Sequence, residues 1–361
     1  MLSVYVAIDP GDRSAAWRVE LADRLRDALG SDGEGRAGKA LRATAERAQG
    51  PFTGHGPPPE GRGQIGFLEI DEDGGRELWY SAQIAPRRTE AVRGHRPYLR
   101  PLVEILERGA RMGVAAVSGD QLRVWEWELG ALAEHDDLTL SPAGETRERR
   151  AQRPSDPARF QGASSSGKEQ FEHRIEAHRD RFLKQAARKA ESDAAERGWV
   201  ELLVFGETEH VSRFTDALGG REPHHVEAKN VVAEPTAQIA DRVERMVPDL
   251  LRQRELRLIE TIKNSAYTGK ERASLGPQET LEALSAGRVD HLVFDAERDY
   301  NGHGIEQGLA YEGPPLGESG LPVAELLIER ALETGARITP VIGDAASALD
   351  EHDGVAALLR Y

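Results

Sequence analysis

Short apolar runs recur from one end of the chain to the other, and none is long enough to be anything but a strand. LSVYVAID (2–9), MGVAAV (112–117), VELLVFG (200–206), VDHLVFD (289–295), RITPVIG (337–343) and GVAALLRY (354–361) are rich in β-branched residues and bounded by Gly, Asp or Ser. Between them lie stretches with helical spacing, among them AAWRVELADRLRDAL (15–29), PYLRPLVEILERG (97–109) and LPVAELLIERALETGA (321–336). Strands alternating with helices of this length can bury their apolar faces only as layered α/β structure. With 361 residues, 39% of them hydrophobic, the chain can build more than one such core, so two or three domains are expected.

Charge and composition then remove several function classes. A formal net charge of −15 repels nucleic acid as a whole, so any RNA contact must come from a local basic patch. Cysteine is absent, which excludes disulfides, thiolate metal sites and a cysteine nucleophile and suits a reducing compartment. MLSVYVAIDPGD has no basic start, and no run of about 18 apolar residues occurs, so a cytoplasmic protein without membrane contact is expected. GRGQIG (61–66) satisfies GxGxxG but precedes a strand instead of following one, so it reads as a loop and no cofactor is implied.

Three segments follow. Residues 1–95 read as a small α/β domain of unknown role. Residues 96–265 give a helix, a three-strand meander with turns at SGD and LGA, a long helix from Lys168 to Glu196, and then strand, helix, strand (HHVEAKNVV) and a long helix from Thr236 to Lys263. That order suits an RNase H-like sheet with helices packed across it. Residues 266–361 give helix, strand, helix, strand, strand, an α/β/α sandwich, and Lys263 to Leu275 reads as the connector into it. In its last strand Val355, Ala357 and Leu359 should face one side and Ala356 and Leu358 the other.

The residues of that last segment resemble a known family. GPQETLEAL (276–284), VDHLVFD, a helix closing in ETGARITPVIG, and GVAALLRY together resemble the C-terminal domain of the archaeo-eukaryotic peptide chain release factors and Pelota. The resemblance extends over roughly residues 97–361, on the side of the bacterial release-factor-like branch, and it implies that the middle segment is the family's RNase H-like domain. In the family the loop between its third strand and long helix carries GGQ and hydrolyses peptidyl-tRNA. Here that place holds RERRAQRPSDPARFQGASSSGKEQ, and the helix HRDRFLKQAARKA looks like the basic helix that follows GGQ. The N-terminal segment has none of the stop-codon-reading motifs, so the resemblance implies a codon-independent, rescue-type role. Ribosome and tRNA are the implied partners, and a translational GTPase is a candidate partner.

The basic character of this arm is legible without the family. Residues 147–189 hold 12 Lys+Arg against 6 Asp+Glu. Arg159, Lys168, Arg174, Arg179, Arg181 and Lys184 are the expected RNA-binding residues, since a positive arm with Gly and Ser suits a phosphate-lined cavity. The bland alternative is a solvated helix on which Glu172, Glu176 and Asp180 pair with basic neighbours four residues away. The loop itself, with one large apolar side chain in 151–168 (Phe160), is expected to be mobile in the free protein.

Catalysis is where the chain departs from the family. GGQ works by placing a backbone N–H and a glutamine beside the ester carbonyl, orienting water and stabilising the oxyanion. In QGASSSG (161–167) the glutamine position falls at or near Ser165, with Gln161 and Gln170 flanking it. Gln161, Gly162 and Ser165 are therefore the candidate catalytic residues, and hydrolysis stays open beside a non-catalytic ribosome- or tRNA-binding role. A metal-dependent nuclease is a third reading. Its acids would be Asp120, Glu126, Glu128 and Glu207, which lack motif spacing and read as a solvated edge. His224 and His225 have no HExxH-type partner, His303 reads as a loop residue, and no metal site is expected.

Overall fold

The structure is a computed structural model, and it describes residues 1–9, 11, 16–30, 35–52, 60–139, 166–267, 272–298, 300, 303–306, 309–311 and 323–361. The chain opens with β1 (Leu2–Ala7), α1 (Ala16–Leu29), α2 (Gly35–Gln49), β2 (Gly63–Leu68), β3 (Glu77–Ala82), β4 (Glu90–Arg93) and α3 (Arg100–Arg108). It continues with β5 (Met112–Val117), β6 (Gln121–Glu128), β7 (Ala131–Thr139), α4 (Ser166–Arg197), β8 (Glu201–Gly206), α5 (Thr208–Thr215), β9 (His224–Glu227) and α6 (Thr236–Tyr267). It closes with β10 (Ala273–Leu275), α7 (Pro277–Ser285), β11 (Val289–Asp295), β12 (His303–Glu306), β13 (Leu309–Tyr311), α8 (Val323–Thr334), β14 (Arg337–Val341), α9 (Gly343–Ser347) and β15 (Val355–Leu359). The chain is thus mixed α/β, as the alternation of runs requires.

Two compact units emerge, one of residues 1–109 with 246–361 and the other of residues 110–245. The second is a single mixed sheet in the order β7-β6-β5-β8-β9, with β7, β6 and β5 antiparallel and β5, β8 and β9 parallel. This is the RNase H-like arrangement that the element order suggested. Its core is the apolar stripe of α4 (Phe182, Leu183, Ala186, Ala187, Ala190, Ala194) laid on Val117, Val124, Leu202 and Val204. The alanines let the helix lie close to the strands between Phe182 and Ala194.

Gly113 on β5 is required by that packing. A Cβ there would stand 2.1 Å from Cε3 of Trp199, so only glycine lets the indole lie across the strand. The indole Nε1 then donates to Glu126 Oε2 at 2.7 Å, and both residues are buried. Glu126 was expected on a solvated edge; instead it satisfies the one polar atom of a core tryptophan, because Gly113, its partner on the neighbouring strand, opens the space.

The first unit contains two sheets. One is antiparallel in the order β3-β2-β1-β4, covered by α1 through Trp17, Leu21 and Leu25 and by α2 through Ala48, with Phe52 just after it. The other runs β10-β15-β11-β14, with only the β11–β14 pair parallel. As expected, Val355, Ala357 and Leu359 of β15 enter one core with α7 and α8, while Ala356 and Leu358 enter another with Ile259 and Ile262 of α6. These strands are in a different sheet from β5, β6 and β8, again as the sequence implied.

Several expectations are corrected. Lys263 to Leu275 is not a plain connector: α6 runs on to Tyr267 and β10 pairs with β15, a three-residue edge strand too short to leave an apolar pattern. The strand expected over 224–232 stops at Glu227, because Asn230 adopts a left-handed backbone (φ 57°) and turns the chain. His303 begins β12, paired antiparallel with β13, where a loop was expected.

Helix α3 joins the two sheets of the first unit. Val103 enters the core of α7, α8 and β15, whereas Ile105 packs under Tyr5 and Ile65 of the other sheet. Its N-terminus is held by Glu325 of α8, wholly buried, whose carboxylate accepts from the backbone N–H of Leu99 (2.7 Å) and Arg100 (2.8 Å). Near its C-terminal end Glu107 pairs with Arg254, and Thr339 Oγ1 donates to Glu107 Oε1 at 3.1 Å while bonding His291 Nε2 at 2.8 Å.

Two predictions follow from these contacts. Gly113→Ala should lower the unfolding free energy by about 2 kcal/mol or more, measured by urea denaturation, because the methyl must displace a buried indole. Burial pushes the Glu325 carboxyl up to about 7, although its two N–H partners pull it down. A carboxyl raised in the folded state contributes stability that is full below its ordinary value of 4.5 and is lost as pH rises toward 7. Glu255, pushed up to about 7 by burial and the Glu107 carboxylate, adds the same sign, whereas burial pushes His291 down to about 4 and gives the opposite one. Thermal unfolding across pH 4.5 to 7 should therefore fall less steeply in Glu325→Gln than in wild type.

Candidate functional site

Helix α4 carries the described part of the basic arm, and its faces do different things. Phe182, Leu183, Ala186, Ala187 and Ala190 turn inward, which leaves Arg181, Lys184 and Arg188 exposed on the outward side at i, i+3 and i+7. These three span about 10 Å of helix, two turns. Arg181 Nε donates to the Ala177 carbonyl of its own helix, and Lys184 and Arg188 have no ion-pair partner among the described residues. They form a cationic stripe on solvent. Lys168 and Arg174 fall on the same helix.

Glu176 and Asp180, on a neighbouring flank of α4, pair with another helix and not along their own as the bland reading held; the side chain of Glu172 lies outside the described residues. Arg213 of α5 takes the first two, with Nη1 to Asp180 at 2.7 Å and Nη2 to Glu176 at 2.9 Å and to Glu209 at 3.1 Å. One guanidinium, raised by these carboxylates above its ordinary value, thereby fastens α5 to α4 and neutralises acids that would oppose the stripe. Lys189 and Asp193, at 2.6 Å, do form an i,i+4 pair.

Arg179 is separated from the stripe. It lines a cleft of about 690 Å³ within the second unit, at the carboxyl ends of β5 and β8. The floor is Val117 and the turn Ser118–Gly119–Asp120, one wall is Ile175, Glu176, Arg179 and Leu183 of α4, and the other is Glu207 to Arg213 with residues 228–232. Open α/β sheets keep ligand crevices at the carboxyl ends of their parallel strands. Residue-by-residue reading picked out Arg179 but not His210, Asn230 or Gly119. The available signal was placement: all sit just beyond the ends of strands that were identified.

Arg159, Gln161, Gly162 and Ser165 lie outside the described residues, as does the loop expected to be mobile, apart from Ser166 to Lys168 in the first turn of α4. The four acids weighed for a nuclease do not converge: Glu126 is buried on Trp199, Glu128 pairs with Arg111 at 2.6 Å, and only Asp120 and Glu207 reach the cleft. His224 bonds Glu201 at 3.0 Å and His225 the Gly206 carbonyl at 3.2 Å. Among the described residues no group of three or more His, Asp or Glu converges as a metal site, and no helix is long and apolar enough to cross a membrane.

Comparison with known proteins gives this geometry its context. Residues 97–248 match bacterial archaeo-eukaryotic release factor family 10. No curated protein matches the chain. Among solved structures it is similar to the archaeal translation termination factor aRF1, at 18% identity over 100% of this chain and 92% of that one, with a TM-score of 0.26. It is similar also to Archaeoglobus fulgidus Pelota (16% identity, 83% and 79% covered, TM-score 0.34). Dom34 of S. cerevisiae, a translation termination-like factor interacting with Hbs1, is a third (10% identity, 83% and 80% covered, TM-score 0.37). The stretch from residue 97 to 248, which holds the five-stranded sheet and the basic helix, is thus the part of the chain that matches the bacterial archaeo-eukaryotic release factor family.

Proposed function

We propose that the protein is a ribosome-associated, release-factor-like factor that acts on stalled peptidyl-tRNA without reading a codon, by peptide release or ribosome rescue. The observation that carries this reading is the family match over residues 97–248, which contains the helix with the exposed stripe Arg181, Lys184 and Arg188. An acidic chain of net charge −15 that keeps such a stripe on one helix concentrates its attraction for phosphate there. In this reading Arg159, Lys168, Arg174 and Arg179 join Arg181 and Lys184 against RNA. Residues 1–95, 96–265 and 266–361 serve as N-terminal, middle and C-terminal segments, and a translational GTPase is a candidate partner. The site of action is the cytoplasm.

Gln161, Gly162 and Ser165 are the proposed loop tip, where backbone N–H groups meet the oxyanion and Ser165 holds the water. A non-catalytic ribosome- or tRNA-binding role is the second reading, favoured by the serine that stands where the family has glutamine.

Cosedimentation with stalled ribosomes followed by a peptidyl-tRNA hydrolysis assay separates them. Arg181→Glu with Lys184→Glu should weaken ribosome binding and reduce the salt slope by about one counterion per lost contact. Gln161→Ala with Ser165→Ala should leave binding in place and, for a hydrolase, cut cleavage at least tenfold, about 1.4 kcal/mol in barrier. Salt-sensitive binding with no cleavage by the wild type replaces the enzyme with the adaptor; indifference to ribosomes and tRNA removes both.

A further inference from the structure

The cleft at the carboxyl ends of β5 and β8 has a donor set whose partners are missing. Arg213 is saturated by Asp180, Glu176 and Glu209, and Asp120 accepts from Ser118 Oγ at 2.9 Å. Arg179, His210 and Asn230 line the same cleft, and their side chains have no hydrogen-bond or ion-pair partner among the described residues. Two of them converge: a Cβ on Gly119 would stand 3.0 Å from His210 Nε2 and 3.1 Å from Arg179 Nε. Glycine at 119 thus keeps clear a corner in which a guanidinium, an imidazole and a backbone turn face one small volume. Asn230, held in a left-handed turn (φ 57°), brings a side-chain amide to the opposite rim.

We propose that this cleft binds a nucleoside monophosphate unit, its phosphate in the Arg179–His210–Gly119 corner and its base between the apolar walls. The chemistry selects that class. Unengaged N–H donors call for an acceptor-rich anion, and an arginine fork matches phosphate geometry. Ile175 and Val232, the half-buried apolar residues of the lining, supply a surface for a flat ring, while Asn230 can both donate to and accept from a base edge. About 690 Å³ lies within the range of small-molecule sites. Asp120 and Glu207 set the upper limit on charge: their carboxylates in the lining disfavour a di- or triphosphate, which would bring further negative oxygens toward them. The same unit can arrive as a free nucleotide or as the last residue of an RNA strand. This site goes beyond the ribosomal reading and does not depend on it.

Equilibrium titration of the full chain with AMP, adenosine, ATP, inorganic phosphate and a short single-stranded RNA bearing a terminal phosphate tests it. AMP, the RNA or both should bind at least tenfold more tightly than adenosine or inorganic phosphate, and ATP more weakly than AMP. Arg179→Met should reduce that binding at least tenfold, and Gly119→Val, which fills the corner, should do the same. His210→Gln, the milder change, keeps the test valid if the valine variant fails to melt cooperatively. Binding by AMP alone assigns the free nucleotide; binding by the RNA alone, lost on removing its terminal phosphate, assigns the strand end. No binding by either, binding indifferent to Arg179→Met and His210→Gln, or ATP tighter than AMP overturns the site. Ribosome cosedimentation of the same wild-type sample reports on the other reading separately.

Discussion

A buried carboxylate holds the first unit together. Glu325 takes two of the backbone N–H groups that open α3, groups that would otherwise be unsatisfied in the interior. Burying a charge is costly, and two short bonds at the positive end of a helix offset only part of that cost, so the carboxyl is still pushed up to about 7. What depends on it is α3 itself, which contributes Val103 to one core and Ile105 to another. The residue just before the helix extends the tie: Tyr98 N–H donates to Ser3 Oγ, and the Tyr5 hydroxyl donates to the Tyr98 carbonyl, so β1 is fixed to the same point. Residues nearly the whole chain length apart are thus joined through one nine-residue helix.

The other end of α3 has a polar network of comparable burial. His291, Thr339, Glu107 and Arg254 link β11, β14, α3 and α6 in a continuous chain of hydrogen bonds. With burial holding the imidazole down near 4, it stays neutral at physiological pH and can serve as a hydrogen-bond partner without adding charge to the core. Networks of this kind specify one packing arrangement, because any partial rearrangement leaves a buried polar atom unpaired.

In the second unit the same economy separates structure from function on a single helix. The inner stripe of α4 is apolar and alanine-rich, its acidic flank is consumed by Arg213, and its outer face is left basic. The charge count of 147–189 does not distinguish these faces. Only their geometry explains why Arg179, exposed like Arg181 and Lys184, lines a cleft that the other two do not reach.

The sequence by itself determined most of the elements and the fold class. Strand-length apolar runs alternate with helical ones, and the period-two division of Val355, Ala357 and Leu359 from Ala356 and Leu358 follows from the pleat. Tertiary structure decided everything that depends on partners remote in sequence. Glu126 looks like an exposed acid until Gly113 admits Trp199 beside it, and β10 is invisible without β15 to pair with. Glu325 reads as an ordinary helix acid until its target, 225 residues earlier, is brought to it. Likewise the cleft exists only because strand ends from three parts of the chain meet, so Gly119, His210 and Asn230 had no shared signal in the linear order. Local pattern encodes which face of an element is apolar; which polar groups share a site depends on chain closure, and no short-range pattern carries that.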